Sequence, residues 1–357
     1  MVEKLPNFWS GRRVFLTGHT GFKGCWFLIW LKMLGADVFG YSLPPLDPSL
    51  YKSAFGDREM NGIFADVRDK DGLKREMTAQ APEMVFHFAA QPLVRESYKQ
   101  PVLTYETNVM GTVNLLEAVR GARSVKSVVV ITTDKCYRDM DWEWAYRETD
   151  ELGGVDPYSS SKACVELLCD AWRQSFFKDS GTLLATARAG NVIGGGDWSE
   201  DRLVPDAMRA FQRGETLEIR SPNAVRPWQH VLEPLYGYML LAERLYAGDD
   251  SRADAWNFGP SAESAKSVEG VVQAIREALP GDAKYKITGG DNLHETLLLR
   301  LDASKAIQKL GWRPKLDFKE ALSMTVEWYR RAWDGCGALS LTREQISKYM
   351  EMCIANE

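Results

Sequence analysis

The chain of 357 residues is too long for one small module and suits one large domain or two modest ones. Its 45% hydrophobic and 26% charged residues exclude a disordered protein, and a net charge of −5 excludes the broad basic surface that nucleic-acid binding needs. Six cysteines without a CxxC pair and only four histidines argue against a metal site or a disulfide framework.

The apolar segments near the N-terminus are short. Residues 1–11, MVEKLPNFWSG, lack the apolar core of a signal peptide, and the run Cys25–Leu31 is far shorter than the ~20 residues that span a bilayer. We therefore expect a cytoplasmic protein without a membrane partner.

Short apolar runs alternate with longer helical patterns over the first 190 residues. The runs predict buried strands at Val14–Thr17, Val38–Tyr41, Met84–Ala89, Ser127–Thr132 and Leu183–Ala187. The helical patterns lie between them, at Gly24–Leu34, Pro101–Arg120 and Pro157–Phe177. Such alternation predicts a parallel sheet with helices on both faces. Trp26 and Trp30, one turn apart on the first of these helices, are expected in the core.

The pattern changes after about residue 190, where elements become shorter and loops longer. We predict helices at Asp201–Arg213, Pro234–Tyr246 and Thr342–Cys353, the last with a capping box from Thr342 to Gln345 and packed on its own domain. The predicted fold class is α/β: a doubly wound parallel sheet of the Rossmann type in residues 1–187 and a smaller α/β substrate-binding domain in residues 188–357. A segment near 227–258 is expected to return to the first domain.

A glycine-rich turn follows the first predicted strand. Residues 18–24 read GHTGFKG, which is a GxxGxxG pattern between a strand and a helix. Glycines at such positions permit a tight turn and let backbone N–H groups approach a pyrophosphate at the helix N-terminus. A tight turn without a ligand is the alternative, but the turn opens the first βαβ unit, so we favour a dinucleotide site. Its predicted residues are Gly18, His19, Gly21, Phe22, Lys23 and Gly24.

The choice of dinucleotide depends on the end of the second strand. An acidic residue is usual about twenty positions after the glycines, where it binds the ribose 2′-hydroxyl, and Ser42 stands there instead. This leaves NAD and NADP open, and we favour NAD because no arginine follows in residues 43–47. Asp66, with Val67, is expected to meet the adenine amino group; capping of the helix that begins near Asp69 is the alternative.

A tyrosine and a lysine in an i, i+4 pair begin the helix after the fifth strand. Tyr158 and Lys162 therefore project from one face of that helix. Half ionisation of a tyrosine near neutral pH needs roughly 4 kcal/mol of stabilisation, and an ammonium ~4 Å away in a partly buried site supplies a term of about that size. The pair predicts a phenolate that removes a hydroxyl proton while a hydride leaves the same carbon. A solvated helix face is the alternative.

These motifs resemble the extended short-chain dehydrogenase/reductase superfamily, and the resemblance covers most of the chain. It includes residues 87–90 (HFAA), residues 132–134 (TTD) and residues 188–191 (RAGN). The resemblance implies NAD as cofactor, with Thr132 and the turn at Ala89 and Ala90 near it and Lys162 on the nicotinamide ribose.

The same resemblance assigns further roles. It implies that Asn108 interrupts its helix to organise the site, that Thr133 hydrogen-bonds the reacting oxygen of a sugar and that Tyr158 is the base. For Asn108, as for His87, a satisfied buried polar side chain is the alternative.

Asp134 and Lys135 narrow the expected reaction. Sugar 4-epimerases of this superfamily typically have a small residue at the first position, whereas a 4,6-dehydratase needs a second acid–base pair. The Asp-Lys pair, with residues 194–198 (GGGDW) and 226–231 (RPWQHV), resembles the CDP-glucose 4,6-dehydratase branch. This implies conversion of CDP-D-glucose to CDP-4-keto-6-deoxy-D-glucose, a precursor of bacterial surface (O-antigen) sugars, with Asp134 as acid at C6 and Lys135 as base at C5. Physical chemistry alone leaves that order open, and a structural ion pair is the alternative.

Candidate substrate ligands lie in the second half of the chain. Arg226 is the first choice for the substrate pyrophosphate because arginine offers planar, permanently charged donors. Arg202 and Arg300 are weaker choices, and Asn191 either contacts the sugar or orders its loop. The resemblance implies a homodimer or homotetramer. Competing functions are a 4-epimerase, a dehydratase for another nucleotide sugar and a non-catalytic dinucleotide sensor.

Overall fold

The computed structural model describes residues 4–58, 60–279, 283–289 and 299–355. Within these ranges the strands are β1 (Arg13–Thr17), β2 (Asp37–Ser42), β3 (Gly62–Phe64), β4 (Met84–His87), β5 (Ser127–Ile131), β6 (Leu183–Ala189), β7 (Asn191–Ile193), β8 (Leu217–Ile219), β9 (Val225–His230), β10 (Ala255–Phe258), β11 (Ala265–Ser267) and β12 (Tyr285–Ile287).

The helices of the same ranges are α1 (Lys4–Trp9), α2 (Phe22–Met33), α3 (Leu50–Phe55), α4 (Lys70–Gln80), α5 (Val94–Lys99), α6 (Pro101–Tyr105), α7 (Gly111–Arg120), α8 (Pro157–Trp172), α9 (Leu203–Gln212), α10 (Leu232–Tyr246), α11 (Val268–Ala278), α12 (Ser304–Leu310), α13 (Phe318–Trp333) and α14 (Ala338–Ala355). Single π-turns follow α6 at Glu106–Met110 and α8 at Arg173–Phe177. Short 3₁₀ turns occur at Asp134–Cys136, Asp250–Arg252 and Ala262–Ser264.

A seven-stranded parallel sheet forms the centre of the molecule, in the order β10-β6-β5-β4-β1-β2-β3. All five strands predicted from the sequence belong to it, which confirms the α/β prediction. Helices α4, α7 and α8 pack on one face, and α2 and α10 pack on the other. Trp26 and Trp30 of α2 are fully buried, as expected.

The second half of the chain builds two small sheets beside the central one. Strands β11, β9 and β7 form a three-stranded sheet, and β12 pairs with β8. The chain then returns, because α10 packs on β5 and β6 while β10 pairs with β6 as an edge strand of the central sheet. The chain therefore passes from β6 of the central sheet to β7 and β9 of the three-stranded sheet, and then back to β10 of the central sheet.

The last helix differs from its prediction. It begins at Ala338, so Thr342 lies inside it, and the predicted capping box is wrong. The Thr342 hydroxyl accepts a hydrogen bond from Trp328 Nε1 (3.1 Å), and Gln345 donates to the Met324 carbonyl (2.7 Å). The helix packs on α13 and also on α2, where the ring of Tyr349 meets Trp30 edge-on at 5.8 Å.

The described ranges hold neither a membrane-spanning helix nor a cluster of metal ligands. No helix there has the length and apolar character to cross a bilayer. The same residues contain no group of three or more histidine, cysteine, aspartate or glutamate side chains arranged to hold a metal ion. All six cysteines are free thiols.

Candidate active site

The glycine-rich turn closes tightly between β1 and α2. Gly18 has a φ of +73°, and a Cβ on it would lie 2.6 Å from the backbone nitrogen of Ala89, which follows β4. A Cβ on Gly24 would lie 2.1 Å from the Gly18 carbonyl oxygen, and Gly21 donates to that same oxygen (3.1 Å). Only glycine fits at Gly18 and Gly24. The turn therefore leaves backbone N–H groups at the start of α2 in the arrangement that binds a pyrophosphate.

The side chains between the glycine turn and the end of β2 are polar but uncharged. Ser42 at the end of β2 is buried, and its hydroxyl bonds to Thr20 Oγ1 (2.7 Å), which donates to the Leu43 carbonyl (2.9 Å). His19 of the turn is also buried, its pKa is lowered to about 4 by burial, and it stands edge-on to Tyr51. The hydroxyls of Ser42 and Thr20 thus stand at the end of β2, where a carboxylate is usual.

Asp66 and Val67 lie where the adenine end of a dinucleotide is expected. Burial raises the pKa of Asp66, but three hydrogen bonds from Arg68 (2.7–3.0 Å) outweigh it and hold the pKa below its ordinary value. Helix α4 is capped by Asp69 itself, which excludes the capping alternative for Asp66. A cavity of about 450 Å³ adjoins this pair, and its lining residues are Asp66, Arg68, Glu106, Met110 and Asn114.

Asn108 lies on the π-turn that interrupts the helix between α6 and α7, as the resemblance implied. Its Oδ1 accepts from the Gln91 backbone N–H (2.8 Å), and its Nδ2 donates to the Gln91 carbonyl (3.1 Å) and to Ser161 Oγ (2.8 Å). The side chain thereby connects the turn after β4 with α8. His87 is a satisfied buried residue between Thr17 (2.8 Å) and Thr112 (3.1 Å).

Helix α8 carries the tyrosine–lysine pair into the site. Asp156 caps the helix, accepting from Ser159 N (2.9 Å), and Pro157 takes its first position, as the sequence predicts. Burial raises the pKa of Tyr158 to about 12 against the opposing effect of a Thr133 hydrogen bond, and burial lowers the pKa of Lys162 to about 8.

A cation outside the predicted tyrosine–lysine pair also acts on the Tyr158 phenol. Lys162 Nζ donates to the carbonyl of Ile131 (3.1 Å) at the end of β5. Arg202 lowers the pKa of Tyr158 electrostatically, whereas Asp134 raises it. Sequence reasoning missed this effect of Arg202, because it arises where the loop before α9 approaches α8.

Residues 132–135 follow β5 and point in different directions. The Thr132 hydroxyl donates to Glu166, which also forms a buried ion pair with Arg188 (2.8 Å). Thr133 Oγ1 donates to Asp134 Oδ1 (2.9 Å). Thr133 and Asp134 therefore face the Tyr158 side of the sheet edge, whereas Thr132 supports the interior.

The Glu166–Arg188 pair was also missed. A charged residue within the otherwise apolar run of β6, and a glutamate four positions after Lys162, were the available signals. Two ions buried together at this depth need each other as partners.

The acid of the predicted pair is the more buried member. Burial raises the pKa of Asp134, while Lys135, the Thr133 hydrogen bond, Arg226 and Lys23 all oppose the increase. A carboxyl with a raised pKa retains its proton more readily and suits a proton donor. Lys135 is only partly buried, and its backbone N–H donates to Thr133 Oγ1 (3.3 Å).

The predicted substrate ligands are not all in one place. Arg226 on β9 and Arg202 interact electrostatically with Asp134 and Tyr158 respectively, and Arg202 pairs with Asp197 (3.1 Å). Asn191 lies on β7, paired with β9. Arg300 instead donates to the Glu143 carbonyl, in the loop that follows the 3₁₀ turn Asp134–Cys136. The structure thus brings Arg202 and Arg226 to the site and places Arg300 beside the loop over residues 138–154.

The comparisons with known proteins agree with this geometry. Residues 15–325 match the family model described as GDP-mannose 4,6 dehydratase. The chain belongs to this family. It is 48% identical over 356 residues to a CDP-glucose 4,6-dehydratase from Salmonella typhimurium, an alignment that covers 98% of this chain and 99% of the relative.

Solved structures show the same fold. The dTDP-glucose 4,6-dehydratase DesIV from Streptomyces venezuelae has a TM-score of 0.76 and 24% identity, covering 92% of this chain and 99% of its own. The UDP-glucose 4-epimerase of Thermus thermophilus, solved as a complex with NAD, also has a TM-score of 0.76, with 25% identity and coverage of 90% and 99%. The fold is thus shared by dehydratases and epimerases, and the site residues must distinguish them.

Proposed function

We propose that this family member converts CDP-D-glucose to CDP-4-keto-6-deoxy-D-glucose with NAD. The observation that carries the proposal is the pair Asp134–Lys135 at the end of β5, beside Tyr158 and Thr133. Oxidation at C4 alone needs only the tyrosine. Loss of water from C5 and C6 needs a further acid and base, and this site supplies both. The 48% identical relative named for the same reaction supports the substrate.

The cofactor proposal rests on the shape of the glycine turn. Gly18 and Gly24 let the turn pack tightly against its own backbone at the start of α2, where N–H groups would meet a pyrophosphate, and the uncharged pair Thr20–Ser42 would provide hydroxyls for the adenosine ribose. Asp66 would meet the adenine and Lys162 the nicotinamide ribose. NAD supplies the hydride acceptor at C4 and the hydride donor at C6, and the NAD-bound epimerase with the same fold supports it.

The oxidation step is assigned to Tyr158 and Thr133. The Tyr158 oxygen takes the proton of the sugar 4-hydroxyl, and Thr133 orients that oxygen by a hydrogen bond. Burial alone disfavours the phenolate. Positive charge from Arg202 lowers the cost of ionisation, and the positive nicotinamide ring would add to this effect if NAD were bound.

The elimination step is assigned to Asp134 and Lys135. A C4 ketone makes the C5 proton acidic, and Lys135 as a neutral amine removes it. Asp134 donates its proton to the C6 hydroxyl, which leaves as water, so that atoms and charge balance. The raised pKa of Asp134 agrees with a donor rather than an acceptor. Arg226 and Arg202 would hold the substrate diphosphate, with Asn191 and Arg300 as further ligands.

A homodimer, or a tetramer built from it, is part of the proposal. Apolar side chains on the helices around residues 98–110 and 157–177 are exposed, and they are Tyr98, Val102, Tyr105, Met110, Leu167 and Phe176. Apolar groups clustered on neighbouring helices mark a protein interface. Six free thiols fit a reducing compartment, so we place the enzyme in the cytoplasm, where its product would enter deoxysugar synthesis for surface (O-antigen) polysaccharide.

The deciding experiment incubates the purified protein with CDP-glucose and NAD in heavy water and measures the mass of the sugar nucleotide by mass spectrometry. Loss of one water with gain of one deuteron is expected, because C5 exchanges with solvent. CDP-galactose of unchanged mass would identify a 4-epimerase, and no reaction with CDP-, dTDP-, UDP- or GDP-glucose would contradict an enzymatic role. Tyr158→Phe protein is the matched control for contaminating activity.

A further inference from the structure

A buried ion pair adjoins the turn that carries the proposed acid and base. Glu166 of α8 and Arg188 of β6 approach to 2.8 Å, and their side chains are only 1% and 3% exposed. Burial alone would raise the pKa of Glu166, but Arg188 and hydrogen bonds from Thr132 and Thr186 hold it below its ordinary value, so both partners are charged. Because the burial of two charges costs about as much free energy as their attraction returns, stability alone does not account for the pair.

The carboxylate holds the residue before the turn. The Thr132 hydroxyl donates to Glu166, and the Thr132 backbone N–H donates to the Ala187 carbonyl of β6 (2.9 Å). The hydroxyl of Thr186, also on β6, donates to the other carboxylate oxygen (2.6 Å). Thr132 is therefore bound to α8 and to β6 directly before Thr133.

The guanidinium holds the residue after the turn. Arg188 Nη1 donates to the Tyr137 hydroxyl (2.6 Å), and the guanidinium carbon lies 4.9 Å from the centre of the same ring. That hydroxyl in turn donates to Asn257 Oδ1 of β10 (2.8 Å). Tyr137 follows directly on the 3₁₀ turn Asp134–Cys136. The two ends of the turn are thus anchored by the two members of one ion pair.

We propose that the Glu166–Arg188 pair positions the acid and the base of the elimination step by fastening both ends of the turn that carries them. The inference rests on the proposed dehydratase function and gives a role to two charged side chains that take no part in its chemistry. Misplacement of a reacting group by about 1 Å costs roughly a hundredfold in rate. A turn released at the Tyr137 end would displace Lys135 more than Thr133, because Lys135 lies nearer that end.

Backbone hydrogen bonds hold the turn as well. The Gly153 N–H donates to the Cys136 carbonyl (2.9 Å), and the Arg138 N–H donates to the Glu151 carbonyl (2.8 Å). These bonds join the turn to the segment before α8, and they remain when a side chain of the network is replaced. We therefore expect that loss of one anchor loosens the turn without unfolding the protein.

The test removes the anchor at the Tyr137 end. Tyr137→Phe keeps the ring but loses the hydroxyl that joins Arg188 to Asn257. Single turnovers with CDP-glucose and NAD are followed by absorbance for NADH and by mass spectrometry of quenched samples for water loss. We expect water loss to slow by roughly tenfold more than NADH formation, because Thr132 still holds the other end of the turn.

Tyr146→Phe is the matched control, because it removes a hydroxyl from a buried ring that stacks on Tyr137 at 5.0 Å. That hydroxyl accepts from the Met140 N–H (2.9 Å) of its own loop. The ratio of the two rates should keep its parent value in the control. Equal slowing of both steps in Tyr137→Phe, no slowing of either, or the same change of ratio in the control would overturn the inference.

A second measurement does not depend on the reaction. Amide hydrogen exchange over residues 133–137 reports opening of the turn, since the N–H groups of Cys136 and Tyr137 donate to carbonyls of the same turn (3.4 Å each). Exchange here should be about tenfold faster in Tyr137→Phe than in the parent, and unchanged exchange would contradict the anchoring. Failure to dehydrate CDP-glucose would refute the proposed function, yet this comparison would still decide whether the ion pair fastens the turn.

Arg188→Lys is the second variant, used if Tyr137→Phe does not fold. It keeps a positive charge beside Glu166, but a single ammonium replaces a guanidinium whose two terminal nitrogens reach Glu166 and Tyr137 separately. The same selective slowing of water loss is expected, and equal slowing of the two steps would again contradict the proposal.

Discussion

Tyr158 shows how burial and charge compete at one side chain. Burial raises its pKa to about 12, Asp134 and Asp156 act in the same direction, and Thr133 and Arg202 act against them. The phenol is therefore protonated at neutral pH until further positive charge enters the site. Its oxygen can take the proton of the sugar 4-hydroxyl only after the phenol has released its own, so oxidation at C4 is expected to depend on that added positive charge.

Tyr158→Phe tests this role directly. The phenyl ring fills the same space but offers no oxygen, so NADH formation from CDP-glucose should fall at least about a thousandfold, within the range that a lost acid–base group and its hydrogen bond together cost. Stopped-flow absorbance of the reduced nicotinamide measures NADH. An unchanged rate of NADH formation would show that another group is the base.

Lys135→Ala separates the two chemical steps. Oxidation at C4 should proceed, because Tyr158 and Thr133 are untouched, while loss of water should fall by roughly 10²–10⁴-fold. Mass spectrometry of the quenched mixture should find a 4-keto sugar nucleotide that retains its C6 hydroxyl. Lys126→Ala, a lysine that precedes β5, is the control. Dehydration at the parent rate in Lys135→Ala would exclude this lysine as the C5 base.

At the scale of elements, the π-turn at Glu106–Met110 sets the position of α8. Asn108 projects from it to bond Gln91 and Ser161, so one side chain fixes the turn after β4 and the helix of Tyr158 together. An uninterrupted α-helix would place residue 108 at a different angle. π-turns are often found at such functional positions.

Asn108→Ala should lower both stability and turnover. It leaves the Gln91 N–H without its buried acceptor, which costs about 1–3 kcal/mol of unfolding free energy. The turnover number should fall further than Asn114→Ala reduces it, because Asn114 donates to the carbonyls of Val67 and Arg68, beside the predicted adenine site and away from α8. Thermal melts and steady-state kinetics measure the two effects. An equal loss of turnover in both variants would contradict the proposal that Asn108 positions α8.

Long strands and motif-bearing turns were predictable, and short distant elements were not. The runs that became β1, β2, β4, β5 and β6 have strong apolar character. By contrast, β3 has three residues, and β10 was not predicted as a strand, although it lies in the segment 227–258 that was expected to return, because it pairs with a strand about 70 positions earlier. Local pattern carries no information about such pairing. The capping-box prediction at Thr342 was wrong because its spacing to Gln345 matches that motif, whereas both side chains form hydrogen bonds to α13.

The candidate site shows the same division. Tyr158 and Lys162 were predictable from their i, i+4 spacing at the start of a helix, and Asp134 was predictable because it follows a strand, where ligands of such sheets bind. The effects of Arg202 on Tyr158 and of Lys23 on Asp134 were not, since they depend on how the segment 190–202 lies between α2 and the sheet. The roles assigned to the individual side chains stay predictions until variants are measured.

At the scale of the whole molecule, one buried carboxyl joins three distant segments. Glu233 of α10 accepts hydrogen bonds from the backbone N–H groups of Lys315 (2.8 Å) and Leu316 (2.7 Å) and from the Tyr349 hydroxyl (2.8 Å). Burial raises its pKa to about 7 despite these bonds. The folded protein therefore binds a proton here more tightly than the unfolded chain does.

The raised pKa of Glu233 makes the free energy of unfolding fall as the pH rises. The contribution of Glu233 is fully present below the unfolded pKa of ~4.3 and is lost as the pH rises through about 7. Glu233→Gln keeps an acceptor for the two N–H groups and removes the titration. The variant should lose less unfolding free energy than the parent between about pH 5 and 8, by up to about 3 kcal/mol. Urea denaturation across this range measures the difference, and parallel curves for the two proteins would contradict the assignment.

The return of the chain to its central sheet has a consequence for synthesis. Strand β6 ends at Ala189, but its neighbour β10 ends only at Phe258, and α10, which covers β5 and β6, precedes it. Domains fold on the ribosome as their residues emerge. Here β6 lacks its neighbouring strand β10, and the face of the central sheet that α10 covers stays exposed, until some seventy further residues have left the exit tunnel. During that interval a nascent chain offers apolar surface to chaperones, and a pause in translation shortly before residue 258 would prolong its exposure.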